Sequence, residues 1–218
     1  YKAEKLQIMT NELLKSVLTP KAIEYLDNEQ YSDFFKEIAK YLDYGKLYYD
    51  SGIFENFQKA GIDFLSKIDT VPIGLFNGCG LTKIELPENI KTIENFAFLH
   101  CEKLKQAKLS KSVETIGERA FADCENLTTI NIPERCVVKT NAFQMCKKLN
   151  NITIGKDVIL EPACFFHCAL YNVIFEGTMQ ECSSVFNLTG EVTYTASKHI
   201  IHIKCNDGIF DYNDWWRK

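Results

Sequence analysis

Between Leu81 and Cys168 the same order of apolar and polar positions recurs several times. Its clearest mark is a Phe followed three residues later by a Cys, at Phe76/Cys79, Phe98/Cys101, Phe121/Cys124, Phe143/Cys146 and Phe165/Cys168. The phenylalanines are 22, 23, 22 and 22 residues apart. After each pair comes Leu-x-x-apolar-x-apolar: Leu81/Ile84/Leu86, Leu104/Ala107/Leu109, Leu127/Ile130/Ile132, Leu149/Ile152/Ile154 and Leu170/Val173/Phe175. Side chains alternate across a strand, so these segments predict short strands with the apolar positions turned inward. The pairs Ile68/Val71, Ile90/Ile93 and Val113/Ile116 predict a second short extended row.

A repeat of 20 to 29 residues with this signature predicts a leucine-rich-repeat solenoid of about five coils. A single coil cannot bury its apolar face, and stacking supplies the neighbour that it needs. The first copy, from about Ile68 to Cys79, lacks a leading strand. The copies ending at Cys146 and Cys168 are each one residue shorter between strand and Phe, and Cys164 replaces the Ala that precedes the Phe.

Residues 1–66 change to helical spacing. Leu6, Met9, Leu13, Leu14, Val17 and Leu18 line one side of a first helix. Thr19-Pro20 reads as an N-cap with Pro at the first helical position. Ser32 opens a third candidate carrying Phe34, Phe35, Ile38, Tyr41 and Leu42 and ending near Gly45, and a last helix is expected over Ile53 to Leu65. The open end of a solenoid exposes apolar core, so these helices are expected to cap it. Tyr41, Tyr44, Tyr48 and Tyr49 offer an alternative role as an aromatic partner surface.

The unit Leu-Thr-x-Ile-x-Ile/Leu-Pro-x-x-Val/Ile-x-x-Ile-x-x-x-Ala-Phe-x-x-Cys-x-x-Leu, repeated over about Ile68 to Phe175, resembles the BspA-like leucine-rich repeat, also called the Treponema pallidum type. The resemblance implies an α+β chain with a parallel sheet: an N-terminal helical cap over 1–66, repeats over 67–177 and a C-terminal β cap over 178–218. Members often follow the last repeat with Gly-Thr, a Trp and a strand near Cys-x-Asp-Gly. Here Gly177-Thr178 and Cys205-Asn-Asp-Gly208 match, and Cys182 stands near the Trp position. The resemblance also implies a surface or secreted protein that binds host proteins, cells or matrix.

Composition narrows the alternatives. With 46% hydrophobic and 25% charged residues, five prolines and 11 glycines, the chain is globular. A net charge of −4 and the absence of a Lys/Arg run argue against nucleic acid as a partner. No apolar run approaches the roughly 18 residues of a membrane span. The opening residues hold no signal-peptide core, and a start at Tyr1 rather than Met is equally compatible with a mature and a trimmed form. The location that the resemblance implies is the cell surface or exterior, with the cytoplasm as alternative.

Five of the nine cysteines belong to the repeat. Stacked strands place equivalent residues about 4.8 Å apart with parallel side chains, whereas a disulfide brings Cβ atoms to about 3.8 Å. Cys79, Cys101, Cys124, Cys146 and Cys168 therefore predict a buried thiol ladder giving S–H bonds to backbone carbonyls. Cys136, Cys164, Cys182 and Cys205 fall outside it, and their pairing stays open.

His199, His202 and Cys205 carry zinc-type donors, but strand alternation sets His202 opposite the other two. His100 and His167 precede ladder cysteines, without thereby forming a nucleophile and base. Asp207, Asp211 and Asp214 do not match a calcium loop. No cofactor, metal or catalytic residue is assigned. A metal-dependent hydrolase is the weakest of the three functional readings, behind a surface binding module and an intracellular adaptor using the aromatic helices.

What remains is the outward face of the repeat sheet. Its predicted columns are Lys83, Gln106, Thr129, Asn151 and Asn172, and Glu85, Lys108, Asn131, Thr153 and Ile174. They are polar and nearly uncharged, fitted to hydrogen-bond a protein partner and, as a second ligand class, a glycan.

Overall fold

The computed structural model describes residues 19–40, 65–187 and 200–213. Helix α1 spans Pro20–Asp27, and the Thr19 side chain accepts a hydrogen bond from the Ala22 N–H at 3.0 Å, as the Thr-Pro signal predicts. Helix α2, Tyr31–Ala39, starts one residue before Ser32, behind a Gln30 whose side chain makes no cap. Ala22, Leu26, Tyr31, Phe34, Phe35 and Ile38 are buried in one continuous core with the coils. Lys67 ties α2 to the first coil: its ammonium is 2.6 Å from the Glu29 carboxylate and 5.5 Å from the centre of the Tyr31 ring. The other expected N-terminal helices, with Tyr41, Tyr44, Tyr48 and Tyr49, lie outside the described residues, apart from a 3-10 turn at Leu65–Lys67.

Each coil supplies strands to two rows. The shorter row is β1 (Thr70–Val71), β3 (Thr92–Ile93), β5 (Thr115–Ile116), β7 (Val137–Val138) and β9 (Ile159–Leu160), all parallel and stacked in that order. It is the second extended row that the Ile68/Val71 pattern predicts. The longer row contains β2 (Lys83–Glu85), β4 (Gln106–Lys108), β6 (Thr129–Ile132), β8 (Asn151–Ile154) and β10 (Asn172–Phe175), again parallel. Burial alternates as the sequence requires: in β6, Thr129 and Asn131 are exposed and Ile130 and Ile132 buried.

Between the rows the phenylalanines form a column. Phe76, Phe98, Phe121, Phe143 and Phe165 are fully buried, with ring centres 4.5, 4.7, 5.3 and 5.3 Å apart and planes within 14° of parallel. Backbone bonds between coils hold the stack, such as Phe98 N–H to Ala120 O at 2.6 Å and Phe121 N–H to Ala142 O at 2.7 Å.

The turn around each Phe uses left-handed backbone two residues before and two residues after the ring. These are Gly74 and Gly78 in the first coil, then Phe96 and His100, Arg119 and Asp123, Asn141 and Met145, and Ala163 and His167. Most are not glycine, so the hydrogen-bonded stack carries a conformation that these residues disfavour in isolation. The two shorter copies add one more left-handed residue each, Arg135 and Asp157, just before the buried Cys136 and Val158. A tighter turn there absorbs the missing residue.

The last coil leads through Gly177 into helix α3, Met179–Asn187. A C-terminal cap of β structure alone is therefore incomplete. The signal is present in Thr178-x-x-Glu181: the Glu181 carboxylate accepts from the Thr178 N–H at 2.7 Å, and the Thr178 hydroxyl accepts from the Glu181 N–H at 3.3 Å. Strand β11, Ile200–Cys205, then joins β10 in parallel, and β12, Gly208–Asn213, pairs antiparallel with β11 across Asn206-Asp207. Among the described residues the longer sheet thus has seven strands. Among the described residues no helix is long and apolar enough to cross a membrane.

Candidate binding face

The outward side of the longer sheet places the predicted residues in two columns. Lys83, Gln106, Thr129, Asn151 and Asn172 are exposed and pair in register from each strand to the next. Glu85, Lys108, Asn131 and Ile174 are also exposed, while Thr153 is half-buried. The register follows from the repeat, with steps of 23, 23, 22 and 21 residues along the first column.

At one end of this face the Lys108 ammonium and Glu85 carboxylate form an ion pair. Hydrogen bonding to Lys108 holds the Glu85 carboxyl below its ordinary range, and the same bond raises the Lys108 ammonium. Further along, charge gives way to amides. Asn172 Nδ2 donates to Asn151 Oδ1 at 2.8 Å, and Asn151 Nδ2 donates to Asn150 Oδ1 at 2.5 Å. Next to Asn172 in sequence Tyr171 is exposed (62%), and in the second column Ile174 is exposed (46%).

The hairpin extends the face beyond the predicted columns. Ile174 pairs with Lys204 and Lys204 with Ile209, so the second column continues through an exposed cation to an exposed apolar residue (65%). His202 and Asp211 face each other across the hairpin with Nδ1 and Oδ1 2.6 Å apart. The alternation of His202 and Lys204 with Ile203 and Cys205 is the signal in the sequence for this extension, but that strand's place beside β10 is not.

The other chemical candidates disperse. Cys205 is buried on the opposite side of β11 from exposed His202, and His199 lies outside the described residues. Asp207 accepts from the Met179 N–H at 2.7 Å and Asp211 meets His202, while Asp214 lies outside the described residues. Among the described residues no three His, Cys, Asp or Glu side chains come together as metal ligands.

The repeat cysteines form the expected ladder. All nine cysteines are buried. Cys101, Cys124, Cys146 and Cys168 each donate S–H to the carbonyl of the Phe one coil back, at 2.9, 3.1, 3.1 and 3.0 Å. Cys136 fills the buried place that Ile90 and Val113 hold in earlier coils, and Cys164 fills that of Ala97, Ala120 and Ala142.

Burial raises the thiols of Cys124 and Cys146, and pushes that of Cys136 up to about 12. A cysteine nucleophile needs the reverse shift. At pH 8 the thiolate fraction of Cys136 is on the order of one in ten thousand. Iodoacetamide at pH 8 is therefore expected to leave Cys136 and the ladder unmodified in the folded protein and to label them after denaturation. Rapid native labelling, read by peptide mass spectrometry, would show the spine to be open.

Residues 69–189 match the model of the BspA type leucine rich repeat region in six copies. Four complete two-strand units, β2 to β9, and the half-units β1 and β10 lie within that span. The chain is also similar in structure to a leucine rich cell surface protein from Faecalibacterium prausnitzii A2-165, with a TM-score of 0.52 and 27% identity over 54% of this chain and 32% of the other. The match thus spans about a third of that protein's length. A comparison with curated proteins finds no match.

Proposed function

Because this chain belongs to the BspA-type leucine-rich repeat family, we propose that it is a non-enzymatic binding module of a surface or secreted protein, recognising a protein partner through the outward face of its longer sheet. The observation that carries this reading is the in-register pair of columns, polar and largely uncharged from β6 to β10, with Tyr171, Ile174 and Ile209 exposed around them. Amides on a rigid sheet donate and accept with little ordering cost, and exposed apolar groups supply the area that desolvation can use. The cell-surface character of the similar Faecalibacterium protein supports a surface location.

The alternative, an adaptor working through the N-terminal aromatic helices, would use Tyr41, Tyr44, Tyr48 and Tyr49, which lie outside the described residues. Tyr31, Phe34 and Phe35 are buried in the core, where they serve packing.

The test is a combined Asn131→Ala, Asn151→Asp and Asn172→Asp variant, measured by surface plasmon resonance against an array of extracellular-matrix proteins. The two Asp changes remove the amide donors and place two negative charges side by side. Each unmade hydrogen bond in a desolvated contact costs about 1–3 kcal/mol, so affinity is expected to fall by at least about tenfold. The melting temperature should stay within a few degrees, because these side chains are exposed. Undiminished binding by the variant would move the site off this face.

A further inference from the structure

Toward the C-terminal hairpin, the outward face of the longer sheet gathers neutral hydrogen-bonding groups and an exposed ring. Backbone bonds fix their placement. The Tyr171 N–H and the Asn172 N–H both donate to Asn150 O, at 3.4 and 2.8 Å, and Asn172 stands in register with Asn151. Tyr171 therefore takes, in the last coil, the place that Asn150 holds in the coil before. The register of Val173 with Ile203 sets His202 level with Asn172 on the next strand, where its ring meets the Asp211 carboxylate at 2.6 Å.

The amides are oriented by one another. Asn172 Nδ2 donates to Asn151 Oδ1 at 2.8 Å, and Asn151 Nδ2 donates to Asn150 Oδ1 at 2.5 Å. A primary amide carries two N–H donors and an oxygen with two lone pairs. These bonds use one N–H of Asn172 and one of Asn151, so a second N–H on each, and the Asn172 oxygen, remain to meet a ligand. Asn151, Tyr171 and Asn172 are all exposed. Groups already held in one orientation lose little freedom on binding.

We propose that this end of the face is a saccharide subsite, and that its ligand is an extended, neutral chain of β-1,4-linked pyranose rings lying across β8, β10 and β11. The proposal rests on the outward sheet face being the binding surface, and it names a ligand class for one end of that surface. Sugar hydroxyls both donate and accept, as the amides do, and they bring no charge that the amides would leave unpaired. The C–H face of a pyranose ring is apolar and suits an aromatic side chain with a polar tip, such as Tyr171. Neighbouring strands lie about 4.8 Å apart, close to the advance of one ring along such a chain, so successive rings meet successive strands. A coiled α-1,4-linked chain does not keep that step.

The test is isothermal titration calorimetry of the full chain with cellohexaose, mannohexaose and chitohexaose, with maltohexaose as the coiled comparison. At least one of the β-1,4-linked chains should bind saturably, and at least about tenfold more tightly than maltohexaose. Tyr171→Ala and Asn172→Ala should each weaken that binding by at least about tenfold, while Tyr171→Phe retains it. Gln106→Ala, toward the other end of the same column, should leave it unchanged. All these positions are exposed, so the melting temperatures should stay within a few degrees of the parent chain. No binding of any β-1,4-linked chain, equal binding of maltohexaose, or undiminished binding by Tyr171→Ala would overturn the proposal. No protein partner enters the titration, so its failure would leave the protein-binding reading standing on its own test.

Discussion

Phe121→Ala should destabilise the protein by about 3–5 kcal/mol, the range for emptying a buried aromatic site. The ring is fully buried in the middle of the column, 4.7 Å from Phe98 and 5.3 Å from Phe143. Two stacking contacts add to the transfer and cavity terms, each worth roughly 0.5–1.5 kcal/mol beyond area burial. The site collapses poorly, because the backbones that carry the neighbouring rings are pinned by bonds such as Phe98 N–H to Ala120 O and Phe143 N–H to Cys164 O.

Each coil touches only its neighbours, so a defect here also weakens the coupling between the two halves of the stack. The measurement is urea unfolding, with the midpoint giving the loss and the slope reporting whether the halves still unfold together. Thr129→Ala, at an exposed position of the sheet face, is the control and should change stability by no more than about 0.5 kcal/mol. A loss below about 1 kcal/mol for Phe121→Ala would mean that the column does not carry the fold.

Gly155→Ala should lower the melting temperature by several degrees. A Cβ at this position would lie 2.4 Å from the Glu134 N, 2.7 Å from its Cα and 2.8 Å from the Pro133 carbonyl carbon. All three are backbone atoms of the preceding coil, so no side chain can rotate away. Separating the coils strains the bonds from Gly155 N–H to Ile132 O at 2.9 Å and from Arg135 N–H to Lys156 O at 2.8 Å. Overpacking of this kind costs about 1–3 kcal/mol, equivalent to a shift of about 2–12 °C in a chain of this size. The sign is diagnostic: where space allows, Gly→Ala stabilises by reducing the freedom of the unfolded chain. A melting temperature raised by this substitution would contradict the close approach.

Much of the fold is legible because the repeat states it several times over. The alternation in Thr129-Ile-Asn-Ile132 assigns inner and outer faces locally, and the step to Asn151 predicts which residue stacks on which. The same logic located both polar columns and the thiol ladder. The left-handed residues were less legible: Arg119, Met145 and Ala163 do not announce that conformation by type, and it is the hydrogen bonds of the next coil that hold them in it. Helix α3 is marked in the sequence only by Thr178-x-x-Glu181, a single capping signal between two stretches of β pattern.

By itself, then, the sequence determined the period, the parity of every repeat strand, the Phe spine and the reason for five of the nine cysteines. These follow from local periodicity, in which each residue's role depends on neighbours a few positions away. Tertiary structure alone decided that β11 and β12 continue the candidate face and that Gly155 must lack a side chain. The hairpin joins the sheet outside the repeat register, and the Gly155 contact depends on how closely two in-register turns approach. The physical reason is that the approach of one backbone to another across the cap and between coils is set by packing, which no local pattern encodes.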